Sequence, residues 1–187
     1  MNKALFLDRD GIINIDTHYV HKIEDFVFIQ DIFPLCRFFF KKGYQIFVIT
    51  NQAGIARKYY TEADFHILTN YMINEFSKLE IPIQKVYFCP HHPTEGLGEY
   101  KTKCNCRKPA PGMILQAKQE FPIDLSSSVL VGDKESDIIA GLNAKVATNM
   151  LVSPQKPSIT LPENCFHFAS HQELLDYLCS VWMPFGH

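Results

Sequence analysis

Leu5-Phe6-Leu7-Asp8-Arg9-Asp10-Gly11 places two carboxylates one residue apart at the end of an apolar run, with a glycine directly behind them. Carboxylates this close repel unless a cation or a shared proton lies between them, which points to metal binding or acid–base chemistry. An Asp-x-Asp pair alone also suits an ordinary strand-end turn, so its partners further along the chain decide. Thr50 and Asn51 follow Ile46-Phe47-Val48-Ile49, Asp133 follows Val129-Leu130-Val131-Gly132, and Arg107 and Lys108 stand before Pro109. Such a set suits phosphoryl transfer, in which charge spreads over equatorial oxygens and the site must offer cations, donors, a nucleophile and an acid. In that scheme Asp8 attacks phosphorus, while Asp10 protonates the leaving alkoxide and later takes a proton from the hydrolytic water. Thr50 and Lys108 hold the phosphoryl oxygens. Asp8 and Asp133, with the backbone carbonyl of Asp10, offer hard oxygen ligands for a catalytic Mg²⁺.

A second constellation lies between these groups. Cys89-x-His91 and Cys104-x-Cys106 supply three thiolates and an imidazole, the ligand set of a closed tetrahedral Zn²⁺ site, with His92 a competing imidazole. A zinc with no open coordination position is structural, and here it would stand immediately before Arg107 and Lys108 and order them. Cys104 and Cys106 are too close for an easy disulfide, and the pattern fits a reducing compartment. Cys36, Cys165 and Cys179 fall on apolar or helical stretches and are expected as buried small hydrophobes.

The elements that must carry these groups alternate between strand and helix, which gives the α/β class. Buried strands are expected around Leu5–Leu7, Gln45–Thr50, Val86–Phe88, Ser128–Asp133 and Lys145–Leu151. Helices are expected over Ile32–Lys42 (Leu35, Cys36, Phe38 and Phe39 inward), Thr61–Leu79 (Thr61 and Asp64 as a cap), and Gly112–Glu120. Another holds Asp137 and ends at Gly141, and a last one is opened by Ser170 and Glu173. Residues 12–28 read as a structured loop near the site, and residues 154–164 as a linker.

The chain has 187 residues, 47% apolar and 20% charged, with a net charge of −2, a globular composition of one-domain size. Without a broad basic surface, nucleic acid is not the expected partner. No run approaches the roughly 20 apolar residues of a membrane span, so a protein of the cytoplasm without a membrane partner is expected.

In the same order, Asp8-Arg9-Asp10-Gly11, Val48-Ile49-Thr50-Asn51-Gln52, Lys108 and Gly132-Asp133-x-x-x-Asp137 resemble the four motifs of the haloacid dehalogenase-like (HAD-like) phosphatase superfamily. Thr50–Arg57, Cys89–Pro93 and Cys104–Met113 are similar to the D-glycero-D-manno-heptose 1,7-bisphosphate 7-phosphatases, with histidinol-phosphatases as relatives. The resemblance implies a capless HAD-type fold, a Rossmann-like three-layer sandwich around a central, mostly parallel sheet, with a zinc-binding loop at about 89–106 in a single domain, 1–187. It also implies an aspartyl-phosphate mechanism, a small phosphorylated sugar as substrate, a place in surface-polysaccharide synthesis, and His91 rather than His92 as the zinc ligand. The implied substrate contacts are Asp16, Thr17, His18 and Tyr19; Thr50, Asn51, Gln52 and Ala53; and Arg107, Lys108 and Lys134. Ile12 and Lys58 depart from the pattern, which often has Thr and Gly there. A monomer is expected. A DNA 3′-phosphatase and a non-enzymatic zinc module are the readings from other classes; the first needs a basic stripe and the second a missing catalytic group, and the sequence offers neither.

Overall fold

The computed structural model describes residues 1–182. A six-stranded sheet has the order β3-β2-β1-β4-β5-β6. The strands are β1 (Lys3–Leu7), β2 (Tyr44–Asn51), β3 (Ile83–Cys89), β4 (Val129–Gly132), β5 (Thr148–Val152) and β6 (Cys165–Phe168). Every pairing among them is parallel, with Leu5 beside Ile46 on one side and beside Val129 on the other. Parallel sheets need both faces covered, and the strand sequences show it by being apolar at successive positions. Along β1, Leu5 and Leu7 enter one core cluster while Ala4 and Phe6 enter the other, the period of two expected of a strand.

Helices α1 (Ile32–Lys41), α3 (Glu62–Lys78) and α6 (His171–Trp182) cover the first face through Leu35, Phe39, Met72, Phe76 and Leu174. Helices α4 (Gly112–Glu120) and α5 (Glu135–Ala144) cover the second through Met113, Ile114, Ile138 and Ala140. The Thr61 cap is present as expected: its hydroxyl accepts from the Asp64 N–H, and Asp64 accepts from the Thr61 N–H at 2.8 Å. A short helix, α2 (Ala53–Ala56), follows β2 directly. From β1 the chain builds β2 and β3 outward, then crosses back to place β4 on the other side of β1. Ligands of open α/β sheets bind in the crevice at such a reversal, beyond the strands' carboxyl ends.

Five points of the sequence reading are corrected. Gly141 does not end its helix: α5 continues to Ala144 and stops at Lys145, in the left-handed conformation at φ 63°. Gly141 is there because a Cβ would collide with the Asn149 side chain on β5, so it permits close packing. Lys145 is therefore a helix cap, and the fifth strand begins at Thr148. β6 was not anticipated, since only its end residues, Cys165 and Phe168, are buried and neither a period of two nor an apolar run marks it. Cys179 is exposed, on the side of α6 away from Leu174 and Leu178, while Cys36 and Cys165 are buried as expected. Ser170 does accept from the Glu173 N–H, at 3.2 Å, but the Glu173 carboxylate reaches Ala169 N–H rather than closing the box.

Candidate active site

Asp8 is the first residue past β1, and its N–H still donates to Val131 at 3.0 Å as the strand would. The chain then turns tightly, with the N–H groups of Ile12, Ile13 and Asn14 all directed at the Arg9 carbonyl. Gly11 makes the turn possible: its φ is 90°, and a Cβ would overlap the Asp133 carboxylate at the end of β4. A side chain at position 11 would thus displace the Asp133 carboxylate.

Lys108 is buried, and its ammonium donates to Asp8 Oδ1 at 2.8 Å and the Ile49 carbonyl at 2.8 Å, with Asp137 Oδ1 at 2.7 Å. Its backbone is clamped by one side chain at the end of β2. Asn51 Nδ2 donates to the Lys108 carbonyl at 3.1 Å, and the Lys108 N–H donates to Asn51 Oδ1 at 3.0 Å. A lysine from a distant loop is thereby fixed at the strand ends. Burial would favour its neutral form, but Asp137 and Asp8 outweigh this and raise its pKa, keeping the ammonium charged.

Asp8, Asp133 and Asp137 bring carboxylate oxygens within 4.8 Å of one another. Burial, the largest cause, pushes the Asp8 pKa up, and pushes Asp133 to about 8 with Asp8 adding to it. Asp133 Oδ1 is buried without a hydrogen-bond donor. An orphaned oxygen between crowded acids is what a divalent cation would satisfy, and this donor set fits Mg²⁺. The Asp10 side chain lies outside the cluster. It accepts from Arg9 at 2.9 and 3.1 Å, from Asn14 Nδ2 at 3.0 Å and from Gln52 Nε2 at 3.2 Å. Asp137, which the sequence placed at a helix start without a role, instead joins the acids, pairs with Lys108, and accepts from the Lys134 N–H at 3.0 Å.

Over this floor lies a cavity of about 490 Å³. Of the expected contacts, Asp16, His18, Tyr19, Asn51, Gln52 and Ala53 line it, as do Arg107, Lys108 and Lys134. Asp10, Tyr60, Pro109 and Ser136 complete the wall. Thr17 is exposed and outside the lining, and Thr50 is buried behind Gln52, whose Nε2 donates to Thr50 Oγ1 at 2.8 Å. Lys134 reaches Asp16 at 3.3 Å and Asp133 at 3.6 Å, so it links the cavity to the acids. Arg57 pairs with Glu95 and lies over the Tyr19 ring, and Lys58 lines a neighbouring cavity.

The second constellation also converges. The Cys106 thiol lies 3.0 Å from Cys89 and 3.2 Å from Cys104, and His91 Nδ1 is 3.4 Å from Cys106. His92 is turned away, its Nδ1 accepting the Glu95 N–H at 2.9 Å, and His91 is the imidazole gathered with the three cysteines. The hydrogen bond with Cys89, the largest cause, lowers the Cys106 pKa to about 5, which favours a thiolate in this cluster. Four N/S donors at one point form a metal-compatible cluster. Arg107 is tied to it through its guanidinium, which donates to the His91 carbonyl at 3.2 Å.

Sequence reasoning missed Arg9, Asn14 and Tyr60. Arg9 is fully buried, donates to the Val20 carbonyl at 2.7 Å and holds Asp10. Its only signal was its place between two acids.

A parallel sheet with an acid past its first strand, a buried lysine against that acid and two further acids after its fourth strand defines a HAD-like hydrolase. A family described as HAD-hydrolase-like matches residues 105–155. The D-glycero-alpha-D-manno-heptose-1,7-bisphosphate 7-phosphatase of Campylobacter jejuni is 54% identical over 82% of this chain and 84% of its own length. The corresponding beta enzyme of Haemophilus influenzae is 49% identical, over 84% of this chain and 85% of its own. The D,D-heptose 1,7-bisphosphate phosphatase structure of B. bronchiseptica shares the fold, with a TM-score of 0.77, 24% identity and coverage of 95% and 98% of the two chains. The chain belongs to the heptose-1,7-bisphosphate 7-phosphatase family of HAD-like hydrolases.

Proposed function

We propose that this protein hydrolyses the C7 phosphate of D-glycero-D-manno-heptose 1,7-bisphosphate through an aspartyl phosphate on Asp8. The observation that carries the reading is Lys108, buried between Asp8 and Asp137 at the floor of a cavity that Arg107 and Lys134 also line. A bisphosphate needs cations at two places, and this cavity offers them. The names of the relatives support the same substrate.

An Asp8 oxygen attacks the C7 phosphorus, while Lys108 and the Thr50 hydroxyl take the phosphoryl oxygens. The bond from phosphorus to the C7 oxygen breaks, and Asp10 gives that oxygen its proton. Asp10 then accepts a proton from water, which attacks phosphorus, releases inorganic phosphate and restores the Asp8 carboxylate. Asp8 and Asp133, with the Asp10 carbonyl, are assigned to hold Mg²⁺, which neutralises phosphoryl charge when bound. Cys89, His91, Cys104 and Cys106 are assigned to a structural Zn²⁺. Asp16, His18, Tyr19, Asn51 to Ala53, Arg107 and Lys134 contact the sugar and its second phosphate. On this reading residues 1–187 form one phosphatase domain, monomeric and cytoplasmic, that serves lipopolysaccharide-core or related surface-polysaccharide synthesis without nucleic-acid or membrane partners. Among the described residues no helix is long and apolar enough to cross a membrane.

The test is a side-by-side ³¹P NMR assay with both anomers of the heptose bisphosphate, histidinol phosphate and a 3′-phosphorylated oligonucleotide. Loss of the C7 signal with the C1 phosphate retained, fastest on a heptose bisphosphate, is expected. Faster release from histidinol phosphate or the oligonucleotide would overturn the substrate assignment.

A further inference from the structure

Tyr60 forms part of the cavity wall with its ring almost wholly enclosed, 6% exposed. One side of it rests on Gly54, where a Cβ would overlap the ring, and His21 stacks on it at 4.9 Å and 7°. Its hydroxyl donates to Gln52 Oε1 at 2.5 Å. The Gln52 amide then donates twice, to Thr50 Oγ1 at 2.8 Å and to Asp10 Oδ2 at 3.2 Å. Burial raises the Tyr60 pKa, so the hydroxyl stays protonated and remains a donor.

We propose that Tyr60 is a positioning residue: its hydroxyl holds the Gln52 amide in the orientation that aims both of its N–H bonds into the site. The inference rests on the roles given above to Thr50 and Asp10. A glutamine amide has a donor end and an acceptor end of nearly equal size, so packing alone does not choose between them. The acceptor-only Asp10 carboxylate selects the donor end, and the Tyr60 hydroxyl holds that choice by donating to the oxygen. The flipped amide would turn that oxygen toward the Asp10 carboxylate, acceptor against acceptor.

Two consequences follow at the reacting atoms. Thr50 Oγ1 receives its hydrogen bond from Gln52, which leaves its own O–H to donate to a phosphoryl oxygen. Asp10 keeps one oxygen anchored while the carboxyl group handles the leaving-group proton. Tyr60 touches neither the phosphate nor the sugar in this scheme and acts through Gln52 alone. Gly54 belongs to the device because it admits the ring over the amide.

Tyr60→Phe removes the hydroxyl and keeps the ring on Gly54 and His21, so the variant tests the hydrogen bond with little change in packing. It should lower kcat by about tenfold on the heptose bisphosphate, the loss expected of one hydrogen bond acting on the transition state. On 4-nitrophenyl phosphate, whose leaving group needs no proton, the Asp10 branch is silent and a loss of about threefold is expected. In a Gln52→Ala background Tyr60→Phe should cost nothing further on either substrate, because a residue that acts through another is not additive with it. The same loss in that background, no loss in the single variant, or equal losses on the two substrates would each overturn the proposal. A wild-type enzyme that ignores the bisphosphate would defeat the substrate assignment instead, and the cycle on 4-nitrophenyl phosphate would still judge Tyr60.

Discussion

Asp8, Asp133 and Asp137 stand at the ends of β1 and β4 and the start of α5, with Asp8 held by a strand hydrogen bond and Asp8 and Asp137 held by Lys108 at 2.8 and 2.7 Å. Arg107 is the next residue before Lys108, yet it is held from another direction, by the His91 carbonyl and a loop gathered at a Cys/His cluster. One region is ordered by the sheet that the whole chain builds. The other is ordered by four side chains whose mutual crowding calls for a metal. The difference suggests a division of work, with bond breaking on the sheet-fixed side and recognition of the second phosphate on the loop-fixed side. It also means that the two sides should fail differently.

Asp8→Asn should produce the largest effect, a loss of activity of at least ~10⁴-fold, because it removes the proposed nucleophile. Metal content of the Cys/His loop should not change. Activity near wild type in a single-turnover assay would refute the covalent mechanism. Cys106→Ser strikes the other region, and there stability and activity should fall together. A drop in melting temperature on the order of 10 °C is expected from a lost structural metal in a domain of this size. Wild-type protein purified without added zinc should carry one equivalent, and a zinc content near zero would remove the basis of the comparison.

The acids of the sheet side also predict a pH dependence. In the metal-free protein the Asp133 pKa, ordinarily 3.8, is pushed up to about 8 by burial first and by Asp8 second. A carboxyl group raised on folding contributes stability that is complete below about pH 4 and is lost as pH rises through about 8. A divalent cation binds the ionised form, so Mg²⁺ should raise the melting temperature more at pH 9 than at pH 6. Equal shifts at both values would mean that Asp133 is not a ligand. The smallest effect is expected at Lys58, which holds a left-handed backbone, φ 59°, where glycine carries no steric cost. Lys58→Gly should change stability by no more than about 1 kcal/mol and leave KM for the bisphosphate unchanged. A raised KM would bring Lys58 into the recognition side.

Much of the sheet-fixed side was legible because strands buried on both faces write continuous apolar runs, and acids placed just past them stand out. Asp8, Asp133, Thr50 and Asn51 were found that way, and the helix Gly112–Glu120 was bounded by its prolines and glycine. The Cys/His cluster was legible from spacing, which left His91 and His92 both open until the resemblance favoured His91. Arg9, Asn14 and Tyr60 were not, since a buried polar contact made across the fold leaves no local pattern. Tyr60 meets Gln52 only because α2 folds back over the end of β2, and Arg9 looks like a surface charge until the loop carrying Val20 covers it. Thr17 shows the converse, a residue carried along by its neighbours in the resemblance that the fold leaves outside the cavity.

The division between the two regions is tested most directly by Arg107→Ala, assayed on heptose 1,7-bisphosphate and on heptose 7-phosphate. Removal of a guanidinium that pairs with the second phosphate should lower kcat/KM for the bisphosphate by the equivalent of about 2–4 kcal/mol and leave the monophosphate almost unaffected. An equal loss on both substrates would contradict the account, because it would place Arg107 on the transferring phosphate and join the two regions in a single task.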